Sequence, residues 1–170
     1  MLDAKVAALL NQQVNQEFYS AYLYLDFSNF YYDQELNGFG NWYQIQAQEE
    51  RDHAMLFMQY LRNNGEKVEL DAIAKPAGAL KGNKEVLEEG LKHERYVTSL
   101  IHAIYEAAYN VRDFRTMQFL DWFVKEQGEE ENNAEGLVKK YELYGSDPRS
   151  LYMLDSEMAA RVYTAPSLVL

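Results

Sequence analysis

The chain has 170 residues, 48% of them hydrophobic, with no cysteine and a formal net charge of −11, which suits one globular domain with a sizeable buried core. The missing thiols exclude disulfides, thiolate metal sites and cysteine nucleophiles, and the acidity argues against nucleic acid, whose phosphates need a cationic surface. Met1 to Gln13 lacks the basic start and apolar run of a secretory signal, and no stretch approaches membrane-spanning length, so a soluble cytoplasmic protein is expected.

Apolar residues recur at helical spacing nearly throughout, which predicts an all-α chain. The first helix covers about residues 3–32, with a stripe through Leu10, Val14, Glu17, Ala21, Tyr24, Ser28 and Tyr31. A second covers about 37–64 and stops at Gly65, a C-cap residue; its stripe is Tyr43, Ala47, Glu50, Ala54, Phe57 and Leu61. The stretch from about 65 to 82, with Pro76 and its glycines, breaks the pattern and reads as a long connection. The third helix, about 83–110, carries Leu87, Leu91, Glu94, Thr98, Ile101, Tyr105 and Ala108. The fourth, about 113–144, carries Phe119, Phe123, Gln127, Glu130, Ala134, Leu137 and Tyr141, and ends at Gly145. Ser146 or Asp147 then caps a short fifth helix, about 148–162, with Pro148 at its first position. The tail "YTAPSLVL" carries no assignable pattern. His93 and His102 read as ordinary surface or boundary histidines.

Connection lengths constrain the topology. Helices of about 28 residues are about 42 Å long, and the few-residue turns after the first and third make those pairs antiparallel hairpins. The link between the hairpins reaches about 56 Å when extended. That reach permits a crossover along the whole bundle, leaving helices two and three parallel, but a coiled link could equally join neighbouring ends.

All four long stripes are interrupted near their midpoints by polar residues: Glu17; Glu50 with His53; Glu94; Gln127 with Glu130. Midpoints of helices of similar length share one layer of a bundle, so these side chains converge. A buried acidic cluster cannot stay charged without a counter-ion. No lysine or arginine occupies the stripes, and Arg51 and Arg95 are turned about 100° away from their neighbours Glu50 and Glu94. Oxygen ligands with one nitrogen suit iron or manganese. Glu50 and His53, at i and i+3, share a face and can hold one ion together. Glu17 would bridge, and Glu94 and Glu130 remain for a second ion about 3.5–4 Å away.

With these residues in view, the chain resembles the bacterial non-haem ferritins, members of the ferritin-like di-iron family. The resemblance is carried by "NQEFYSAYLYL" with Glu17 and Tyr24, "QEERDH" with Glu49, Glu50 and His53, "LKHERYV" with Glu94, and "WFVKEQGEEE" with Trp122, Glu126, Gln127, Glu129 and Glu130. The inward Glu and Glu-x-x-His arrangement is a known hallmark of such bundles.

The resemblance implies an up-down-down-up four-helix bundle with one long crossover, a short C-terminal helix and a single ferritin-like domain over residues 1–170. It implies a ferroxidase centre, in which Glu17, Glu50 and His53 are similar to the first iron site and Glu94 and Glu130 to the second. Gln127 resembles a nearby weak or hydrogen-bonding ligand. Glu49, Glu126 and Glu129, sharing Glu130, resemble a third iron site; Glu126 and Glu129 alone also suit a solvated helix face. Tyr24 resembles a one-electron donor beside the iron pair, although an ordinary core role fits it as well, and Trp122 reads as packing. The implied activity is oxidation of Fe(II) by dioxygen or hydrogen peroxide, with ferric mineral stored inside a homo-oligomeric shell of 24 subunits.

Haem is not expected, because Arg51 and Asp52 stand where bacterioferritins carry a haem methionine. The opening turns of helix four read Thr116, Met117 and Leu120 in place of an acidic pore lining. Gly128 in mid-helix reads as close backbone approach near the metals. A cage-less di-iron oxidase of the rubrerythrin kind is the competing enzyme, and a DNA-protecting mini-ferritin a third reading; the former usually has more balanced Glu-x-x-His pairs and the latter places its iron between subunits.

Overall fold

Asp3 starts the first helix by accepting hydrogen bonds from the backbone N–H groups of Lys5 and Val6, at 2.9 and 3.3 Å. The computed structural model describes residues 2–76, 78 and 80–170. Five helices follow in order: α1 (Ala4–Tyr32), α2 (Asn37–Asn63), α3 (Asn83–Asn110), α4 (Phe114–Tyr144) and α5 (Pro148–Met158). No strand occurs among the described residues. Gly65 closes α2 at φ +77°, a left-handed conformation that glycine adopts without steric cost. Glu35 and Arg112 take φ 58° in the two hairpin turns.

The direction of the crossover is decided by what the link touches. It begins beside the start of α1, where Leu2 N donates to Glu66 Oε1 at 3.2 Å. It continues past Asn11, whose side chain donates to Glu69 O and accepts from Glu69 N, both at 2.9 Å. Leu80 then packs beside Leu23 and Phe27, and Tyr31 OH donates to Asn83 O at 2.7 Å. The link therefore runs along α1 from its first turn to its last. Helix α3 starts where α1 ends, parallel to α2, which gives the up-down-down-up order.

The apolar core is split in two. One cluster gathers Leu10, Phe57, Leu61, Ile101, Phe119 and Phe123, and the other Phe27, Tyr31, Phe39, Tyr43, Leu87 and Leu137. Aromatic contacts knit each, including Tyr60 stacked on Phe119 at 4.0 Å and Tyr31 on Phe39 at 5.0 Å. Between them lies a buried polar layer drawn from all four long helices.

Helix α5 packs on the start of α2. Leu36 offers no side-chain cap there, and Asp155 supplies one from α5 by accepting from Phe39 N at 3.0 Å. Gly38 makes the approach possible, since a Cβ at that position would stand 1.7 Å from Asp155 O. The expected extent of the fifth helix is corrected: it stops at Met158 instead of reaching residue 162. The following residues leave the helix because Arg161 is drawn back onto α2, where it bonds Trp42 O and Gln46 Oε1.

The close-approach reading of Gly128 is also corrected. A Cβ there meets nothing within 4 Å, and the residue is exposed. Gly128→Ala is expected to raise the stability of the chain by about 0.5–1 kcal/mol through helix propensity alone. Chemical denaturation of the isolated subunit checks this, and a destabilised variant would point to a neighbour pressed against that face.

Candidate metal centre

The polar layer is assembled by i,i+4 geometry within helices and by convergence between them. On α1, Gln13 Nε2 donates to Glu17 Oε1 at 2.8 Å; on α2, Gln46 Nε2 donates to Glu50 Oε1 at 3.1 Å. Each amide fixes one carboxylate oxygen and leaves the other free to face inward. His53 Nδ1 lies 3.4 Å from Glu50 Oε2. Across the bundle, Glu17, Glu50 and His53 bring one ligand atom each to within 4.8 Å of one another, a grouping able to hold a metal ion. Glu17, Glu50, His53, Glu94, Gln127 and Glu130 are all between 1% and 6% exposed, so the charges face each other and not solvent.

Glu94 sits in the same layer but is held differently. Tyr24 OH donates to its Oε1, and Gln127 Nε2 donates to its Oε2 at 3.2 Å and to its main-chain oxygen at 3.3 Å. Glu94 and Glu130 line a small cavity of about 20 Å³ with Tyr24, Tyr43 and Gln46, room for a single small ion or water. Glu49, Glu126, Glu129 and Glu130 share a different, larger cavity of about 370 Å³, which His53 and Trp122 also line. Glu49 and Glu126 are half-buried there and Glu129 is exposed. Trp122 packs edge-on to His53 with ring centres 5.6 Å apart and donates its Nε1–H to Ser167 Oγ at 3.0 Å.

Burial and mutual repulsion dominate the electrostatics. Burial, followed by the Glu50 charge, lifts the Glu17 carboxyl to about 8, and the same two causes lift Glu130 to about 8. Burial lifts Glu94 well above the carboxylate range, with Glu50 and Glu130 adding to it. Burial likewise raises the Tyr24 phenol. Glu50 is the exception: burial pushes it up, but the hydrogen bond and charge of His53 outweigh that and hold it below its ordinary value. Burial would lower the His53 imidazole, yet the surrounding carboxylates, Glu50 first, lift it to about 10. Burial pushes Glu49 and Glu126 up as well.

The donor set fits a cation. Glu17 Oε2 is buried and has no hydrogen-bond partner among the described residues, a costly state that a cation among Glu17, Glu50 and His53 relieves. Carboxylate oxygens with a single imidazole nitrogen match the preference of iron and manganese.

A proton count follows. At pH 7 Glu17, Glu130 and His53 hold protons, because their raised values of about 8, 8 and 10 lie above that pH. A divalent ion displaces those protons on binding. Its affinity is therefore expected to weaken as pH falls below about 10, where His53 takes up its proton, and more steeply below about 8, where Glu17 and Glu130 follow. Calorimetry in buffers of differing ionisation enthalpy should register net proton release at pH 7; uptake with no release would contradict this pattern of protonation.

Three features escaped the sequence reading. Gln13 and Gln46 stand four residues before Glu17 and Glu50, a spacing that could have flagged them. His93 is half-buried, the boundary position expected of it, but its contacts were not legible: it lies 2.8 Å from Ser20 Oγ and edge-on to Tyr24 at 5.8 Å. His102 is exposed. The third is Arg161, which brings a cation to the edge of a layer whose stripes contain none: its Nη2 lies 2.5 Å from Glu49 Oε2.

Comparison with known proteins agrees with this architecture. Residues 7–144 match the family model described as the ferritin-like domain. The chain belongs to the ferritin family. A bacterial non-heme ferritin of Campylobacter jejuni is 37% identical over 155 residues, 91% of this chain and 93% of that protein. One from Staphylococcus epidermidis is 35% identical over 96% of this chain and 98% of its own length. Among solved structures, an open-pore ferritin from the hyperthermophilic archaeon Archaeoglobus fulgidus superposes with a TM-score of 0.93 at 39% identity, covering 95% of this chain and all of that one (100%). A closed form of the same archaeal ferritin, engineered by site-directed mutagenesis, gives 0.94 at 38%, over 96% of this chain and 100% of its own. Among the described residues, no helix of this ferritin is long and apolar enough to cross a membrane.

Proposed function

We propose that this ferritin stores and detoxifies iron, oxidising Fe(II) at a centre within each chain and holding the ferric product inside a closed homo-oligomer. The observation that carries the reading is the convergence of Glu17, Glu50 and His53 around the unpartnered Glu17 Oε2, in a layer buried between two apolar clusters. Glu17, Glu50 and His53 hold one ferrous ion, and Glu94 and Glu130 a second, with Glu17 between them. Gln127 steadies Glu94 from α4. Two ferrous ions each give up one electron, and a dioxygen molecule taking up both with two protons leaves as hydrogen peroxide; with peroxide as oxidant the product is water. The chain's part is to hold the two ions close, keep bulk water out and give up, as the ions bind, the protons that Glu17, Glu130 and His53 carry without them.

Tyr24, bonded to Glu94, stands beside the pair; with one electron from it and one from a third ferrous ion, dioxygen would take up four electrons and four protons in all and leave as two waters. Glu49, Glu126, Glu129 and Glu130 form a third iron site in the larger cavity. Residues 1–170 act as one ferritin-like domain in a cytoplasmic shell of 24 subunits without haem. Exposed Leu143, Tyr144, Tyr152 and Met153 at the α4–α5 corner favour such packing, since large apolar side chains in a cluster mark an interface.

Anomalous scattering at the iron edge from a crystal soaked anaerobically with ferrous salt tests the centre directly: two ions per chain between the four long helices are expected, and none there would overturn the reading. At 19.8 kDa per chain, a shell of 24 has a mass of about 475 kDa. Size-exclusion chromatography giving a dimer would favour a cage-less oxidase instead.

A further inference from the structure

The end of the chain brings an arginine to the carboxylate layer, whose stripes carry no lysine or arginine of their own. After Met158 the chain turns back along α2 and α4 and is fastened at three points. Asn41 Nδ2 donates to Arg161 O at 3.1 Å, Tyr163 OH donates to Asp52, and Trp122 Nε1 donates to Ser167 Oγ at 3.0 Å. These contacts carry Arg161 into the cavity of about 370 Å³ that Glu49, Glu126, Glu129 and Glu130 line.

The guanidinium is held on three sides. Nη2 donates to Glu49 Oε2 at 2.5 Å, and Nη1 donates to Gln46 Oε1 at 2.9 Å and to Trp42 O at 3.3 Å. Its central carbon stands 4.1 Å from the centre of the Trp42 ring. Both partners of the ion pair are largely shielded, at 15% and 17% side-chain exposure. A charge-assisted bond in that setting is stronger than an exposed surface pair.

We propose that Arg161 is the resident counter-cation of the outer carboxylate cluster, a tethered occupant that a divalent ion exchanges before Glu49 serves as its ligand. The proposal rests on reading Glu49, Glu126, Glu129 and Glu130 as a metal site. A guanidinium nitrogen 2.5 Å from Glu49 Oε2 and an ion at about 2.1 Å from the same oxygen would stand about 4 Å apart, and two like charges at that distance in so shielded a place repel each other. The inner layer holds no lysine or arginine, and its His53 turns from cation to ligand on losing a proton, so the inner pair fills first and the outer position last. Arg161 also fixes Gln46: with Oε1 turned to the guanidinium, Gln46 presents its Nε2 to Glu50 Oε1 at 3.1 Å. Exchange at the outer cluster is thereby felt at a ligand of the inner pair.

Zinc, which binds such donors without changing oxidation state, is the probe. In calorimetric titration of the assembled protein, the wild type is expected to take up two ions per chain tightly and a third more weakly. Arg161→Gln is expected to tighten the third step by about tenfold to a hundredfold, and Glu49→Gln to abolish it. Crystals of the wild type, mapped at the zinc edge, give a readout that needs no substitution. Arg161 should rest on Glu49 where only the inner pair is filled and stand away from it where the third ion is present. A third ion beside an intact Arg161–Glu49 pair overturns the proposal, as does a third step in Arg161→Gln no tighter than in the wild type. Failure of the first two ions to bind would overturn the metal-centre reading and this proposal together, so the two failures are distinguishable.

Discussion

Alanine in place of His53 is expected to slow ferrous oxidation at least about a hundredfold while leaving the shell assembled. The imidazole is the only nitrogen donor in the buried grouping with Glu17 and Glu50, and its Nδ1 lies 3.4 Å from Glu50 Oε2. Removing it costs a ligand and also the partner that keeps Glu50 ionised: burial then dominates that carboxyl and favours its protonated form. One substitution thus removes one donor of the first ion and obliges the ion to displace a proton from another. No subunit contact is implicated, because His53 is 2% exposed and packs inside its own bundle against Trp122 and Phe123. Stopped-flow oxidation of ferrous salt, with size-exclusion chromatography alongside, checks both halves. Oxidation at the wild-type rate would remove His53 from the centre.

A second large effect is expected far from the carboxylate layer. Gly38→Ala should destabilise the subunit by about 3 kcal/mol or more and release α5 from the bundle. The added Cβ would stand 1.7 Å from Asp155 O and 2.9 Å from Ala159 N, and these are backbone atoms that no rotamer change can clear. Helix α5 must therefore move, and the bond from Phe39 N to Asp155 Oδ1 goes with it, leaving the first turn of α2 uncapped. The tail follows α5, so Arg161 loses its place on Glu49. Thermal unfolding and protease sensitivity after residue 145 report the change; a variant as stable and as resistant as the wild type would mean that α5 is not seated there in solution.

Much of the site could be read before the fold was known. Glu17, Glu50, His53, Glu94, Gln127 and Glu130 each interrupt an apolar stripe, and a helix fixes the direction of a side chain by its position alone. Similar helix lengths then bring the midpoints to one level. The partners Gln13 and Gln46 were equally local, one helical turn from the residues they hold. What no periodicity could reveal was which oxygen each amide takes, and that Glu17 Oε2 is left over, since these depend on the spacing between helices.

The tail shows the opposite case. "RVYTAPSLVL" has no repeat and no amphipathic face, so nothing local says where it lies or that the fifth helix stops at Met158, short of the expected residue 162. Tertiary contacts decide it: Arg161 finds Glu49, Gln46 and Trp42 on a helix more than a hundred residues earlier. His93 belongs with it, a plain helix residue by spacing that becomes a neighbour of Tyr24 only because α1 packs on α3.

By itself, then, the sequence determined five helices, two hairpins and a ring of acidic midpoints that demands a cation, because helical rise and rotation are fixed per residue and turn position into direction. Only the tertiary structure decided that the link climbs the length of α1, that α5 caps α2 through Asp155, and that an arginine from the end of the chain rests on Glu49. Each of these joins segments far apart in the chain, where the outcome depends on which surfaces meet and leaves no periodic trace in either segment.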